Sequence, residues 1–302
     1  MKKSKKPVHQ MTLAEFDQLF KTEDNCKEYL ITRRWPDAVQ CPRCKNENVH
    51  ELKAKAWHWQ CYQCNPKGYR FSILVGTIFE NTNYSLTVWF KVIHLMMTSK
   101  KGISALQIHR MIGTGSYETA WHMCHRIRAG MADEGFRKLI GMVEIDETYI
   151  GGKEKNKHKK DRNGQGRGPI GKIPVVGAVS RKKGTVIARV MDNVNAETLN
   201  EFVLETVSTK VSLISTDEAR GYARLAVDGW PHESVNHSAG EYVRGNVHTS
   251  TIDGFWSLIK RGIMGTFHKV SRKYLPLYVA EFEFRYNNRQ NDDIFGAAIA
   301  TC

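Results

Sequence analysis

Three acidic residues in this chain sit where a carboxylate is costly unless something compensates it. In Val143-Glu-Ile-Asp-Glu-Thr-Tyr149, strand alternation sets Val143 and Ile145 on one face and Glu144, Asp146 and Thr148 on the other. An acidic group inside such an apolar strand needs an ion pair or a bound cation. Ser212-Leu-Ile-Ser-Thr-Asp-Glu218 repeats the theme, a short apolar run ending at Asp217. Asp253 borders a helical stripe of Ile252, Phe255, Trp256, Ile259 and Ile263, and Lys260 follows almost two turns later on the same side. Taken one at a time, each Asp is equally an exposed strand-end or helix-cap carboxylate. Taken together they offer oxygen ligands for a hard divalent cation. Glu144, Glu147, Glu218 and His248 lie near enough in sequence to support them and are not assigned catalysis.

The second constellation is made of sulfur. Cys41-Pro-Arg-Cys44 and Cys61-Tyr-Gln-Cys64 form C-x2-C-x16-C-x2-C, a spacing typical of four-cysteine zinc sites. Each turn aims two thiolates at one tetrahedral centre, so Cys41, Cys44, Cys61 and Cys64 fill the shell of one Zn2+. With no open position, that zinc is structural. Arg43, Lys45, Lys53, Lys55 and Lys67, with Trp57, Trp59 and Tyr62, offer phosphate contacts and stacking surfaces. Equally, those aromatics cover the ribbon's own small core. Of the remaining cysteines, Cys124 lies in a helical pattern and reads as a small buried hydrophobe.

A surplus of 45 Lys and Arg over 31 Asp and Glu, a net charge of +14, points to a polyanionic partner, nucleic acid first among them. The other reading is a basic surface that serves solubility. Apolar runs such as Ile93–Met97 and Ile173–Val179 fall far short of the roughly 20 residues a membrane span needs. The basic start Met1–Lys6 has no apolar stretch after it. The expectation is a cytoplasmic protein with no membrane partner.

These residues need elements to hold them. Residues 11–35 carry a helical pattern with Thr12 as N-cap and Glu15 three residues on. Residues 84–135 read as helical, broken at Gly113-Thr-Gly115. The two segments around that break resemble a helix-turn-helix, whose second helix carries Thr119, His122, His125, Arg126 and Arg128 toward a DNA groove. Two packed core helices give the same pattern. Beyond Gly141 come short β runs at Met142–Ile150, Ile173–Val179 and Thr185–Met191, a helix at Ala196–Val207 and a strand at Val211–Thr216. A helix near Gly221–Val227, a strand near Ser234–Asn236 and helices at Ile252–Ile263 and Tyr274–Arg289 follow. The charged, glycine-rich residues 153–168 read as a mobile loop. That order predicts an α+β/α/β fold, a mixed five-stranded sheet with flanking helices. The expected domains are 1–80 (helix and ribbon), 81–138 (helical) and 139–302 (the sheet).

With those residues in view, the chain resembles the DDE transposases of bacterial insertion sequences, the kind that join an N-terminal zinc ribbon to an RNase H-like domain. The matching stretches are Ile145-Asp-Glu-Thr-Tyr-Ile-Gly-Gly-Lys153, Thr216-Asp217, Phe255-Trp-Ser-Leu-Ile-Lys-Arg261 and Arg285-Tyr-Asn-Asn-Arg289, with 35 residues between Asp217 and Asp253. The resemblance covers residues 12–290. It implies two Mg2+ or Mn2+ ions bridged by Asp146 and Asp217, with Asp253 completing the shell of one. It further implies that Lys260 and Arg261 hold the scissile strand by its phosphates. The partners it implies are double-stranded DNA, as element terminal inverted repeats and as target, and a dimer or larger assembly. Two departures stand out: the third acidic residue is usually Glu, and Ser250 replaces an Asn. Two other readings remain at this point, a nuclease without strand transfer and a DNA-binding protein that has lost catalysis.

Overall fold

The computed structural model describes residues 6–132, 137–152, 158, 160 and 171–302. It divides into two compact units, Met1–Met131 with Asn291–Cys302, and Ala132–Gln290. The stretch 153–168, read above as a mobile loop, lies outside the described residues except at 158 and 160.

The first unit opens with α1 (Leu13–Leu19) and α2 (Glu23–Arg34). The Thr12–Glu15 capping box expected from sequence is present, and Thr22 with Asn25 builds a second. A small antiparallel sheet of β1 (His50–Glu51), β2 (His58–Cys61) and β3 (Tyr69–Ser72) follows. Then come α3 (Leu86–Thr98), α4 (Ala105–Ile112) and α5 (Tyr117–Gly130). Gly113, at φ +76°, ends α4 in the left-handed conformation that a residue without Cβ adopts cheaply. The end of the chain returns to this unit. In α10 (Ile294–Ala300), Phe295 lies 5.7 Å from Phe20 and 5.8 Å from both Phe16 and Phe90, ring centre to ring centre. The sequence division carried the last domain to 302; the buried face Ile294, Phe295, Ala298 and Ile299 places this helix with α2 and α3 instead.

The second unit is built on β4 (Leu139–Ile150), β5 (Ile173–Ser180), β6 (Thr185–Val190), β7 (Val207–Thr216) and β8 (His232–Ser234). Their order is β6-β5-β4-β7-β8. The first three strands form an antiparallel meander, and β7 and β8 add to it in parallel, each after a helical crossover. Those crossovers hold α6 (Ala196–Thr206) and α7 (Ala223–Val227). This is the RNase H-like mixed sheet expected from sequence. Val143, Ile145, Val176 and Ile214 pack with Leu199, Phe202 and Leu225 in one core. On the opposite face Val175, Val179 and Ala188 meet α8 (Ser250–Gly262) and α9 (Leu275–Asn287) through Ile252, Phe255, Trp256, Val279 and Phe282.

The edge strand β6 is closed by side chains. Asn287 accepts from Val186 N–H at 2.8 Å and donates to its carbonyl at 2.9 Å, standing in for a neighbouring strand. One turn earlier, Glu283 accepts from Ala188 N–H at 3.0 Å. Covering an edge in this way removes a template for strand-to-strand aggregation. It also gives the Arg285–Arg289 motif a structural task.

Candidate active site

Strand register brings the first two acidic residues together. The last paired couple of the parallel strands β4 and β7 is Glu144 with Ser215, and two residues further on lie Asp146, still in β4, and Asp217, just past the end of β7. Carboxylate oxygens of Asp146, Glu147 and Asp217 all lie within 4.8 Å of one another. Glu147 leaves β4 from the other face and accepts from Tyr222 Oη at 2.7 Å. Sequence reasoning kept it outside the acidic set. Its closeness to the cluster depends on where β7 ends, which no local pattern in β4 carries.

Among the described residues no Lys or Arg forms an ion pair with these three carboxylates. Loss of hydration, followed by repulsion from Glu147, Asp217 and Asp253, pushes the Asp146 carboxyl up to about 7. Burial, then Asp217, also raises Glu147, against the Tyr222 hydrogen bond. Asp253, in the first turn of α8, is exposed and stands outside the tight cluster, yet is near enough to act on Asp146. Lys260 and Arg261 are exposed in the last turn of that helix. The donor set, all oxygen and all acidic, fits hard divalent cations.

In sequence Trp256 belongs to the apolar stripe and to the Phe255–Arg261 stretch, with no sign of a polar task. Its indole N–H donates to Asp146 Oδ2 at 2.9 Å, so the ring that packs α8 on the sheet also orients the carboxylate. Gly177, opposite Asp146 in β5, makes the space. A Cβ there would lie 2.6 Å from the Trp256 ring.

In the ribbon, Cys41, Cys44, Cys61 and Cys64 bring their sulfurs within 4.8 Å of one another. Cys41 and Cys64 are 3.5 Å apart and Cys44 and Cys61 3.7 Å. A tetrahedron with metal–sulfur bonds of ~2.3 Å has edges of ~3.8 Å, so the four fit Zn2+.

Residues 138–287 match the family model of the ISXO2-like transposase domain, and residues 21–67 that of the transposase zinc-ribbon domain. The chain belongs to the insertion-sequence transposases. A relative from Halobacterium salinarum, described as an uncharacterized protein in transposable element ISH50, is 28% identical over 277 residues, covering 88% of this chain and 91% of its own. Among solved structures, the catalytic core domain of BIV integrase aligns at 12% identity and TM-score 0.31, over 46% of this chain and 80% of its own. A simian T-cell lymphotropic virus intasome, solved with a PP2A regulatory subunit, aligns at 14% identity and TM-score 0.30, over 60% and 68%.

Elsewhere in this transposase, the structure corrects part of the DNA-facing set. Arg128 is 2% exposed and His125 7%, so both face the core of the N-terminal unit. A guanidinium enclosed in this way cannot reach a phosphate. Arg126 is half-buried, donates to the Glu80 carbonyl at 2.9 Å and lies over the Trp89 ring. The Arg126 and Arg128 contacts expected of a recognition helix are therefore turned inward, and what α5 exposes is Tyr117, Glu118, His122 and Ala129. In the ribbon, Trp59 is buried against Trp35 and Phe71, while Tyr62 is exposed. Among the described residues no helix is long and apolar enough to cross a membrane.

Proposed function

We propose that this transposase cleaves DNA at the ends of its element and joins the freed 3′-OH to target DNA. In this reading Asp146, Asp217 and Asp253 hold two Mg2+ or Mn2+ ions, and Lys260 and Arg261 hold the scissile strand. The observation that carries it is the convergence of Asp146, Glu147 and Asp217 oxygens within 4.8 Å, without a basic counter-ion among the described residues. Bound there, two cations supply Lewis-acid stabilisation to the attacking and leaving oxygens of an in-line displacement.

The protein's own groups do the rest. Trp256 holds Asp146 by its Oδ2, leaving the other oxygen free to coordinate. Ala219 N–H holds Asp217 Oδ1 at 3.0 Å. Lys260 and Arg261 contact phosphate oxygens, which fixes register without reading sequence. In the first step water adds to the phosphorus and the element's 3′ oxygen leaves. In the second, that 3′-OH adds to a target phosphate and a target 3′ oxygen leaves. The first step turns one phosphodiester into a 5′-phosphate and a 3′-OH, the second forms one phosphodiester for the one it breaks, and neither needs a covalent enzyme intermediate. Bringing two element ends together calls for a dimer or larger assembly, working on cytoplasmic DNA.

The test compares wild type with Asp217→Asn on labelled element-end DNA, with Mg2+, Mn2+ or EDTA. Metal-dependent nicking and joining by wild type alone is the expected result. Nicking that never joins a 3′-OH donor to a target plasmid would leave a nuclease. Asp253, exposed and a methylene shorter than Glu, favours one rival, a DNA-binding protein without catalysis. Equal DNA binding by both proteins, with no cutting under any condition, would establish that rival.

A further inference from the structure

Helix α8 begins without a cap of its own, because Thr249 at its N-cap position makes no capping hydrogen bond. The first N–H groups of a helix need acceptors, and a negative charge there also meets the positive end of the helix dipole. Glu144 of β4 fills both needs. It accepts from Thr251 N–H at 2.8 Å, Ile252 N–H at 3.0 Å and Thr251 Oγ1 at 2.7 Å.

Glu144 is 0% exposed and is neutralised by Arg181 Nε at 2.6 Å. Arg181, just past the end of β5, donates onward to the carbonyls of His248 at 2.8 Å and of Asn246, the residues that lead into α8. His248 Nδ1 lies 3.2 Å from the same carboxylate and 2.9 Å from Ser250 Oγ. The central strand, the turn after its neighbour and the entry to α8 thus close on one buried charge pair. Asp146 follows Glu144 by two residues on the same face, and Asp253 directly follows Ile252.

A buried ion pair is weak as a source of stability, since well-packed apolar residues often replace one at no loss. An apolar pair could not hold two helix N–H groups at a fixed point on β4. We propose that Glu144 and Arg181 are positioning residues that lock the first turn of α8 so that Asp253 faces Asp146. They act through Asp253 and touch neither DNA nor the reacting atoms. The proposal rests on the reading of Asp146, Asp217 and Asp253 as cation ligands.

The test titrates the full, zinc-loaded chain with Mn2+ in the absence of DNA. It reads bound metal from the loss of the free-ion electron paramagnetic resonance signal, beside a thermal melt. Glu144→Gln should weaken Mn2+ binding about tenfold or more, as loss of a ligand's supporting group does. Adding Asp253→Asn to it should cost little further, because both changes disable one ligand. If Glu144→Gln does not fold, Thr251→Val, which leaves the charge pair intact, carries the comparison and should weaken binding several-fold. Wild-type Mn2+ affinity in whichever variant folds, with only the melting temperature lowered, overturns the proposal. Fully additive losses with Asp253→Asn overturn it too. Asp217→Asn is the control: if it also leaves Mn2+ binding intact, the cation-site reading fails and takes this proposal with it.

Discussion

Replacing Gly177 by alanine adds one methyl group and should disable the carboxylate cluster from behind. The added Cβ would stand 2.6 Å from Cη2 and 2.8 Å from Cζ2 of Trp256, and 3.2 Å from Ile252 Cδ1. Carbon atoms settle at about 3.5–4.0 Å, so the indole must retreat by roughly 1 Å. It has nowhere easy to go, since Trp256 is 2% exposed and packed between the sheet and Phe255. Overpacking of this kind costs ~1–3 kcal/mol. A retreat of that size also stretches the 2.9 Å bond from Nε1 to Asp146 beyond hydrogen-bond range. A misplacement of ~1 Å at reacting groups can cost ~100-fold in rate. The assay is single-turnover nicking of element-end DNA, run with a thermal melt and beside Trp256→Phe. The phenylalanine variant loses the N–H and keeps much of the ring, so it should lose rate with less loss of stability. Gly177→Ala should lose both. A Gly177→Ala protein that melts and nicks like wild type would refute the argument that this glycine exists to admit the indole.

Three further outcomes are expected. Stripping zinc with a chelator, or changing Cys61 to Ser, should unfold the ribbon, because metal binding supplies most of the folding energy of such lobes; metal analysis with limited proteolysis should show one zinc per chain and new cleavage between residues 41 and 64 when it is lost. His94 is buried against Phe16, and desolvation followed by repulsion from His9 holds its pKa below the ordinary ~6.5. Below that pH the unfolded chain takes up a proton that the native chain refuses, so this contribution to stability is full above pH ~6.5 and falls as pH drops beneath it. Denaturation at pH 7.5 and 5.5 should show a smaller acid loss in His94→Phe than in wild type, and equal losses would count against it. Asn287→Leu should leave the Val186 N–H and C=O without their side-chain partner at the sheet edge, costing ~1–3 kcal/mol; earlier melting with rising light scatter on heating is the expected signature.

What the sequence determined by itself was local. The two C-x2-C turns announce a tetrahedral site because four sulfurs at that spacing have little else to do. Alternation in 143–149 and the stripe from Ile252 to Ile263 foretell a strand and a helix, since each follows the period of its own backbone. The order of elements after Gly141 then leaves few ways to arrange five strands.

Only the tertiary structure decided which groups meet. Gly177, Trp256 and Asp146 come from three separate elements, and nothing in any one segment shows that a missing methyl admits the indole of another. Glu144 looked like one more acidic residue near Asp146, yet its charge is taken by Arg181 and by the start of α8, over a hundred residues away in the chain. Arg128 reads as a DNA contact on a helical wheel, and burial turns it inward. The C-terminal helix α10 carries no signal for its place, because the aromatic cluster that receives Phe295 is assembled from the other end of the chain. Backbone periodicity is written in neighbouring residues, whereas charge compensation and packing depend on distances that exist only once the chain has folded.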